Sequence, residues 1–257
     1  MRYFLKLAYN GKKFHGWQSQ PNASSVQETI ERALSIIFRK PSPIVGAGRT
    51  DTGVHAREMY AHFDIDNAIK DKERTINSLN SLLPKEIVIY DIIPVTDDAH
   101  ARFDATERTY KYFVSYIRSP FLYPYEWFTP RPLNIEAMNE AAKLLLDTSD
   151  FTSFAKLHSD SKTNICDVRK AVWEPSFDDM FVNGDKPKGA VFTISADRFL
   201  RNMVRAIVGT LVDVGRGKMS TADFRTVIEN KDRCTAGTSM PATGLFLWEI
   251  KYPYLGN

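Results

Sequence analysis

Between Tyr3 and Val95 the hydrophobic period switches back and forth between that of a strand and that of a helix, a pattern that a mixed fold of strands and helices can bury. Alternation in Tyr3-Phe4-Leu5-Lys6-Leu7-Ala8-Tyr9 predicts a strand, and a loop rich in Gly, Pro and Asn follows it. A helix is expected to open near Ser24-Ser25, where Ser25 and Glu28 have capping-box spacing ahead of the amphipathic stretch Thr29 to Phe38. A strand from Met59 to Ile65, a helix from Lys72 to Leu83 stopped by Pro84, and a strand from Ile87 to Val95 complete the first series.

The second half repeats the mixture. From Arg108 to Ile117, Tyr110, Tyr112 and Val114 alternate with Lys111, Phe113 and Ser115, as in a half-buried strand. A Pro-rich connection, Pro120 to Pro132, leads to an amphipathic helix at Ile135 to Leu146. Strands at Val168 to Trp173 and Ala190 to Ser195 are separated by a polar loop containing Asn183-Gly184-Asp185-Lys186-Pro187. Helices at Leu200 to Val214 and Thr221 to Glu229 follow, and a strand from Gly244 to Tyr252 closes the chain. With 257 residues, 43% of them hydrophobic, the chain can fill two modest domains. It reads as two α+β halves, 1–105 and 106–257, each on the plan of a ferredoxin-like unit, although no residue-level repeat links them.

Composition excludes some classes and decides little else. No apolar run approaches the roughly 20 residues that span a bilayer, and the N-terminus Met1-Arg2-Tyr3-Phe4-Leu5-Lys6 lacks a signal-peptide layout, so a soluble cytoplasmic protein is expected. Cys166 and Cys234 are the two cysteines, too few and too isolated for a disulfide framework or a zinc site. A net charge of +3 does not by itself indicate nucleic-acid binding. Basic residues do recur beside aromatics, in Lys12-Lys13-Phe14-His15-Gly16-Trp17 and in Arg108-Thr109-Tyr110-Lys111-Tyr112, a mixture that can neutralise phosphates and stack bases.

The densest concentration of unusual residues is Gly46-Ala47-Gly48-Arg49-Thr50-Asp51-Thr52-Gly53. Its glycines permit tight backbone around a guanidinium, a hydroxyl and a carboxylate, so the loop can present Asp51 to a substrate; a plain turn capped by Asp51 fits the same residues. It is not a phosphate loop, and Gly215-Arg216-Gly217-Lys218 lacks the upstream glycine and the Ser/Thr of one. His55 and His62 have no third ligand at diagnostic spacing, so no metal site is expected. On the helix from Leu200, residues Leu200, Met203, Val204, Ile207, Val208, Leu211 and Val212 form a single apolar stripe, with Arg201 and Arg205 one turn apart at its edge. Arg205 can either snorkel to water or hold the charge of a buried carboxylate. Tyr110 shares a strand face with Tyr112, and by pattern both read as core aromatics.

The run Ala47 to Ala56 closely resembles the catalytic motif of the tRNA pseudouridine synthase A (TruA) family, with Thr52 standing where that family usually has alanine. The likeness continues through Tyr9-Asn10-Gly11, Gly16-Trp17-Gln18, Ser25 to Glu28, His100 to Thr106, Arg108 to Tyr112, Phe199 to Gly209 and Gly244-Leu245, in family order along nearly the whole chain. The resemblance implies that Asp51 is the nucleophile, that Tyr110 packs on the target uracil, that Arg205 pairs with Asp51, that Arg49 helps displace the base and that Leu245 lines the pocket. It implies a fold of two ferredoxin-like halves forming a continuous, mainly antiparallel sheet with helices on one side, the second half completing the active-site cleft. It further implies a homodimer acting on the anticodon arm of tRNA, with no metal, nucleotide or organic cofactor.

The implied reaction cuts the bond from uracil N1 to ribose C1′, turns the base and rejoins it through C5. Its product is an isomer, so no redox carrier or energy donor is needed. A single carboxylate can open the path, by attack on the base or at the sugar. A uridine inside a helical arm must first be extruded, at a cost of a few kcal/mol. Lys12, Lys13, Arg57, Arg102 and Arg108 can contact the RNA backbone, and surface solvation explains each equally well. Two readings from other classes remain open on the residues alone: a noncatalytic RNA-binding module, which leaves Asp51 dispensable, and a metal-dependent RNA hydrolase, which the ligand spacing disfavours.

Overall fold

The computed structural model describes residues 1–157, 162–177 and 187–255. Residues 183–186 of the expected polar loop lie outside the described residues. Contacts divide the chain into two compact units, Met1–Glu107 with Phe246–Asn257, and Arg108–Leu245. Both are α+β with mainly antiparallel pairing.

The first unit runs β1 (Arg2–Tyr9), α1 (Val26–Phe38), β2 (Val45–Gly46), β3 (His55–Asp64), α2 (Lys72–Leu82) and β4 (Ile87–Val95). The second runs β5 (Glu107–Ser115), β6 (Trp127–Phe128), α3 (Ile135–Lys143), β7 (Val168–Ser176), β8 (Gly189–Ala196), α4 (Met203–Gly215) and α5 (Thr221–Asn230), after which β9 (Leu245–Lys251) returns to the first.

In the first unit β1 is central, antiparallel to both β3 and β4, and β2 lies on the outer edge of β3. Register places Tyr3, Leu5 and Leu7 beside Phe63, Ala61 and Met59. Their face carries α1, whose Phe38 meets Phe63 at 5.9 Å. Ser25 caps α1 by accepting from the Glu28 N–H at 3.2 Å, one half of the expected box. Asp71 does the same for α2, which ends at Leu82 because Leu83, the residue before Pro84, disfavours helical backbone and is extended. On the opposite face Phe4 is covered by Tyr252 and Tyr254, at 5.3 and 6.3 Å. β9 reaches the same edge of β3 as β2 but at its other end, pairing in parallel at His55 and Ala56.

In the second unit β8 pairs antiparallel with β5 and β7, and the short β6 runs parallel to β5 at Val114 and Ser115. Trp173 and Phe192 stack at 5.0 Å in its core. Asn139 of α3 satisfies the outer edge of β7, its amide donating to the Trp173 carbonyl and accepting from the Trp173 N–H. A side chain thus takes the place of another strand and blunts the edge.

Helix α4 departs from its sequence pattern twice. It starts at Met203 because Asn202 adopts left-handed backbone (φ 65°) and its amide donates to Ser239 Oγ at 2.6 Å; Arg201 therefore precedes the helix instead of sitting one turn before Arg205 on it. Burial also extends nearly all round, well beyond the expected stripe. The cause is the segment 236–241, whose Gly237 N–H donates to Thr210 Oγ1 at 2.9 Å while Gly209 lies so close to the Thr238 carbonyl that a Cβ would collide with it. α5 carries a full capping box between Ser220 and Asp223.

Candidate active site

The Asp51 loop is clamped from beneath by residues 9–17. Tyr9 and Thr50 share a hydroxyl hydrogen bond of 2.8 Å. The Trp17 N–H donates to the Thr50 carbonyl (3.2 Å) and the Gly53 N–H to the Phe14 carbonyl (3.3 Å). The Gly11 N–H donates to His55 Nδ1 at 3.2 Å. Two glycines permit this approach: a Cβ at Gly16, where φ is +91°, would strike the Thr50 carbonyl oxygen, and one at Gly11 would strike that of Val54. A turn closed by the Val54 N–H on the Asp51 carbonyl (3.1 Å), with Gly53 at φ 79°, sets the direction of the carboxylate-bearing residue. Thr50 is buried, Asp51 half-buried, and Arg49 and Thr52 are exposed. A carboxylate on backbone fixed from both sides, yet open to a reactant, suits nucleophilic attack.

His55 is buried at the end of this loop and stacks on Phe246 at 4.6 Å, so its role there is packing and anchoring Gly11. His62 is a second buried imidazole, accepting the Ala101 N–H on Nδ1 at 3.1 Å. Around it the block 100–106 is braced: Asp104 accepts from the His100 N–H (2.7 Å) and the Tyr254 hydroxyl (2.8 Å), and the Tyr252 hydroxyl donates to the Ala101 carbonyl (2.5 Å). Burial pushes the His62 pKa down from 6.5 to about 4. As pH falls from about 6.5 towards 4 the unfolded chain binds a proton that the folded chain refuses, so stability held above that window is lost across it. The thermal midpoint should decline over that range, and His62→Asn, which keeps an acceptor for Ala101, should flatten the decline. An unchanged slope would show that His62 does not control it.

In the second unit the residues of interest gather around α4, β5 and the segment 236–245. Arg205 is half-buried; its Nε donates to the Met240 carbonyl at 2.6 Å, and the Met240 N–H returns a bond to the Arg205 carbonyl at 3.1 Å. The guanidinium direction is therefore set by backbone on a neighbouring segment, not by snorkelling alone. Tyr112 is fully buried, donates its hydroxyl to the Pro241 carbonyl at 3.0 Å, and lies against Gly244, where a Cβ would come within 3.0 Å of its ring. Burial raises its phenol well above the usual range, with Arg205 opposing. Leu245 follows Gly244 and is buried. Tyr110, two residues before Tyr112 on β5, is only half-buried and meets Phe199 edge-on at 5.1 Å. The shared strand face thus holds one core tyrosine and one that reaches the surface.

Asp51 and Arg49 belong to the first unit and Tyr110, Arg205 and Leu245 to the second. The sequence pattern reads Tyr112 as a core aromatic, and it is buried; it names Gly11, Gly16 and Trp17 without their part in the clamp, and it misses Met240. The glycines were visible as punctuation, but a collision with a distant carbonyl has no local signature. Of the basic residues, Lys13 pairs with Glu86 at 2.5 Å, Arg57 lies 4.7 Å over Trp248, Arg102 lies 5.7 Å from Phe103, and Arg108 donates to the Asp197 carbonyl at 2.7 Å. Among the described residues no three His, Cys, Asp or Glu side chains gather as a metal site, and no helix is long and apolar enough to cross a membrane.

A family model described as tRNA pseudouridine synthase matches residues 7–104 and 141–253. These spans include Asp51, Arg205 and Leu245 and leave out Tyr110. The tRNA pseudouridine synthase A of Parabacteroides distasonis is 56% identical over 252 residues, 98% of this chain and 96% of the relative. That of Bacteroides fragilis is 52% identical with the same coverage. That of Bacillus subtilis is 36% identical over 256 residues, 98% of this chain and 99% of the relative.

Proposed function

The chain belongs to the tRNA pseudouridine synthase family, an isomerase family, and from that premise we propose that it converts uridine to pseudouridine in the anticodon stem-loop of tRNA with Asp51 as nucleophile. The observation that carries the choice of Asp51 is the clamp: Thr50, Gly53 and Val54 are each held by backbone from residues 9–17 or by their own turn, so the carboxylate starts from a fixed position.

In this reading the N1–C1′ bond breaks, the base turns, C5 bonds to C1′, the C5 proton leaves and N1 gains one. Atoms and electrons balance within the nucleotide. Tyr110 offers a ring to hold the detached uracil, and Leu245 an apolar wall. Arg205, its Nε anchored on Met240, is the cation that we assign to Asp51 on resemblance. Arg49, exposed beside Asp51, fills the space of the extruded base. We read both units as ferredoxin-like, which the strand order β4-β1-β3-β2 in the first supports. We further place the protein in the cytoplasm, as its composition leads us to expect, and take it as a homodimer on resemblance alone.

Because C5 gives up its hydrogen, tRNA transcribed with 5-tritiated uridine should release tritium to water on incubation with the protein. Release should stop at the number of modified positions. Intact RNA that retains all its tritium would refute the isomerisation.

A further inference from the structure

Residues 105–140 lie outside the span that the family model matches, and within them segment 116–132 carries six aromatic residues, Tyr116, Phe121, Tyr123, Tyr125, Trp127 and Phe128. Phe121 and Tyr123 are 60% and 72% exposed. They are held out by turns, since the Ser119 carbonyl accepts from the Tyr123 N–H at 3.1 Å and Ser119 Oγ from the Phe121 N–H at 3.3 Å. The same segment then enters the edge strand β6, where two guanidiniums lie against adjacent rings: Arg118 at 5.2 Å from Phe128 and Arg216 at 5.3 Å from Trp127. Adjacent strand residues point to opposite faces, so the edge carries an arginine–aromatic pair on each side.

We propose that this apron of segment 116–132 with Arg216 is an RNA-binding surface, on which unpaired bases of the tRNA substrate stack on Phe121 and Tyr123 while Arg118 and Arg216 meet the phosphates. Exposed rings accept any base face, and arginines fixed against aromatics are oriented for phosphate without further ordering. Segment 116–132 holds two arginines and one glutamate, to which Arg216 adds just beyond α4, while Lys218 there is paired with Asp213 at 3.9 Å. Such a balance complements a polyanion.

The proposal rests on the tRNA reading above, and the test separates the two. Tyr123→Ala, Tyr123→Trp and Arg118→Ala proteins are compared with the wild type for binding of unmodified tRNA across a salt series, with pseudouridine formed, thermal midpoint and oligomeric state measured alongside. Tyr123→Ala should weaken binding roughly 5- to 150-fold and raise KM far more than it lowers kcat, with the midpoint unchanged and Tyr123→Trp restoring affinity. Arg118→Ala should reduce the salt slope by about one. Wild-type binding in Tyr123→Ala and Arg118→Ala, or a changed oligomeric state with RNA affinity intact, would overturn the assignment. If the wild type binds tRNA through Tyr123 but forms no pseudouridine, the apron stands and the proposed function falls.

Discussion

Asp51→Asn should abolish pseudouridine formation, by at least about 10³-fold in kcat, while the protein stays folded and still binds tRNA. The substitution keeps the shape of the side chain and removes the charge and nucleophilicity of its oxygen. The loop itself should survive, because the contacts that hold it run through the Thr50 hydroxyl, the Thr50 and Phe14 carbonyls and the imidazole of His55. Single-turnover assays with excess enzyme, run beside a tRNA-binding titration, separate the two effects. Activity within tenfold of the wild type would remove Asp51 from the mechanism. Loss of binding in parallel with activity would make the loop an RNA contact instead.

The second large effect is a contrast between two tyrosines on one strand face. Tyr112→Ala should cost about 3–5 kcal/mol of stability, the range for emptying a large buried aromatic site, because the ring is fully buried, bonded to Pro241 and packed on Gly244. A loss of that size lowers the midpoint by about 10 °C in a protein of this size. Tyr110→Ala should cost about 1 kcal/mol, the worth of one edge-on aromatic contact, yet reduce turnover roughly 5- to 150-fold if the ring stacks on the base. Thermal melts and turnover on the same two proteins decide the matter. If Tyr110→Ala melts as low as Tyr112→Ala, Tyr110 is a core residue.

How much of this was legible depended on whether a feature was local. β1, α1 and α2 could be read directly, since alternation, a serine cap and a helix-breaking proline all act within a few residues. The two-residue strands β2 and β6 could not, being too short to show any period. The α4 sequence shows one stripe because its second face is covered by segment 236–241, whose glycine and hydrogen bonds leave no periodic mark. β9 looked like a strand, but its return to the first unit rests on two paired residues near its start. At the site, the glycines around Asp51 announced a tight loop, whereas its partner Tyr9 lies 41 positions from Thr50. The pattern for Tyr110 and Tyr112 was the same, and only burial tells them apart.

The central claim is that this chain isomerises uridine in the anticodon arm of tRNA. Its most direct test is incubation of the purified protein with unmodified tRNA transcripts, followed by base-resolved mapping of pseudouridine. The account predicts new pseudouridine in the anticodon stem-loop and nowhere else, in RNA of unchanged length. Pseudouridine confined to another arm, or none at all from a folded protein that binds the transcript, would contradict it.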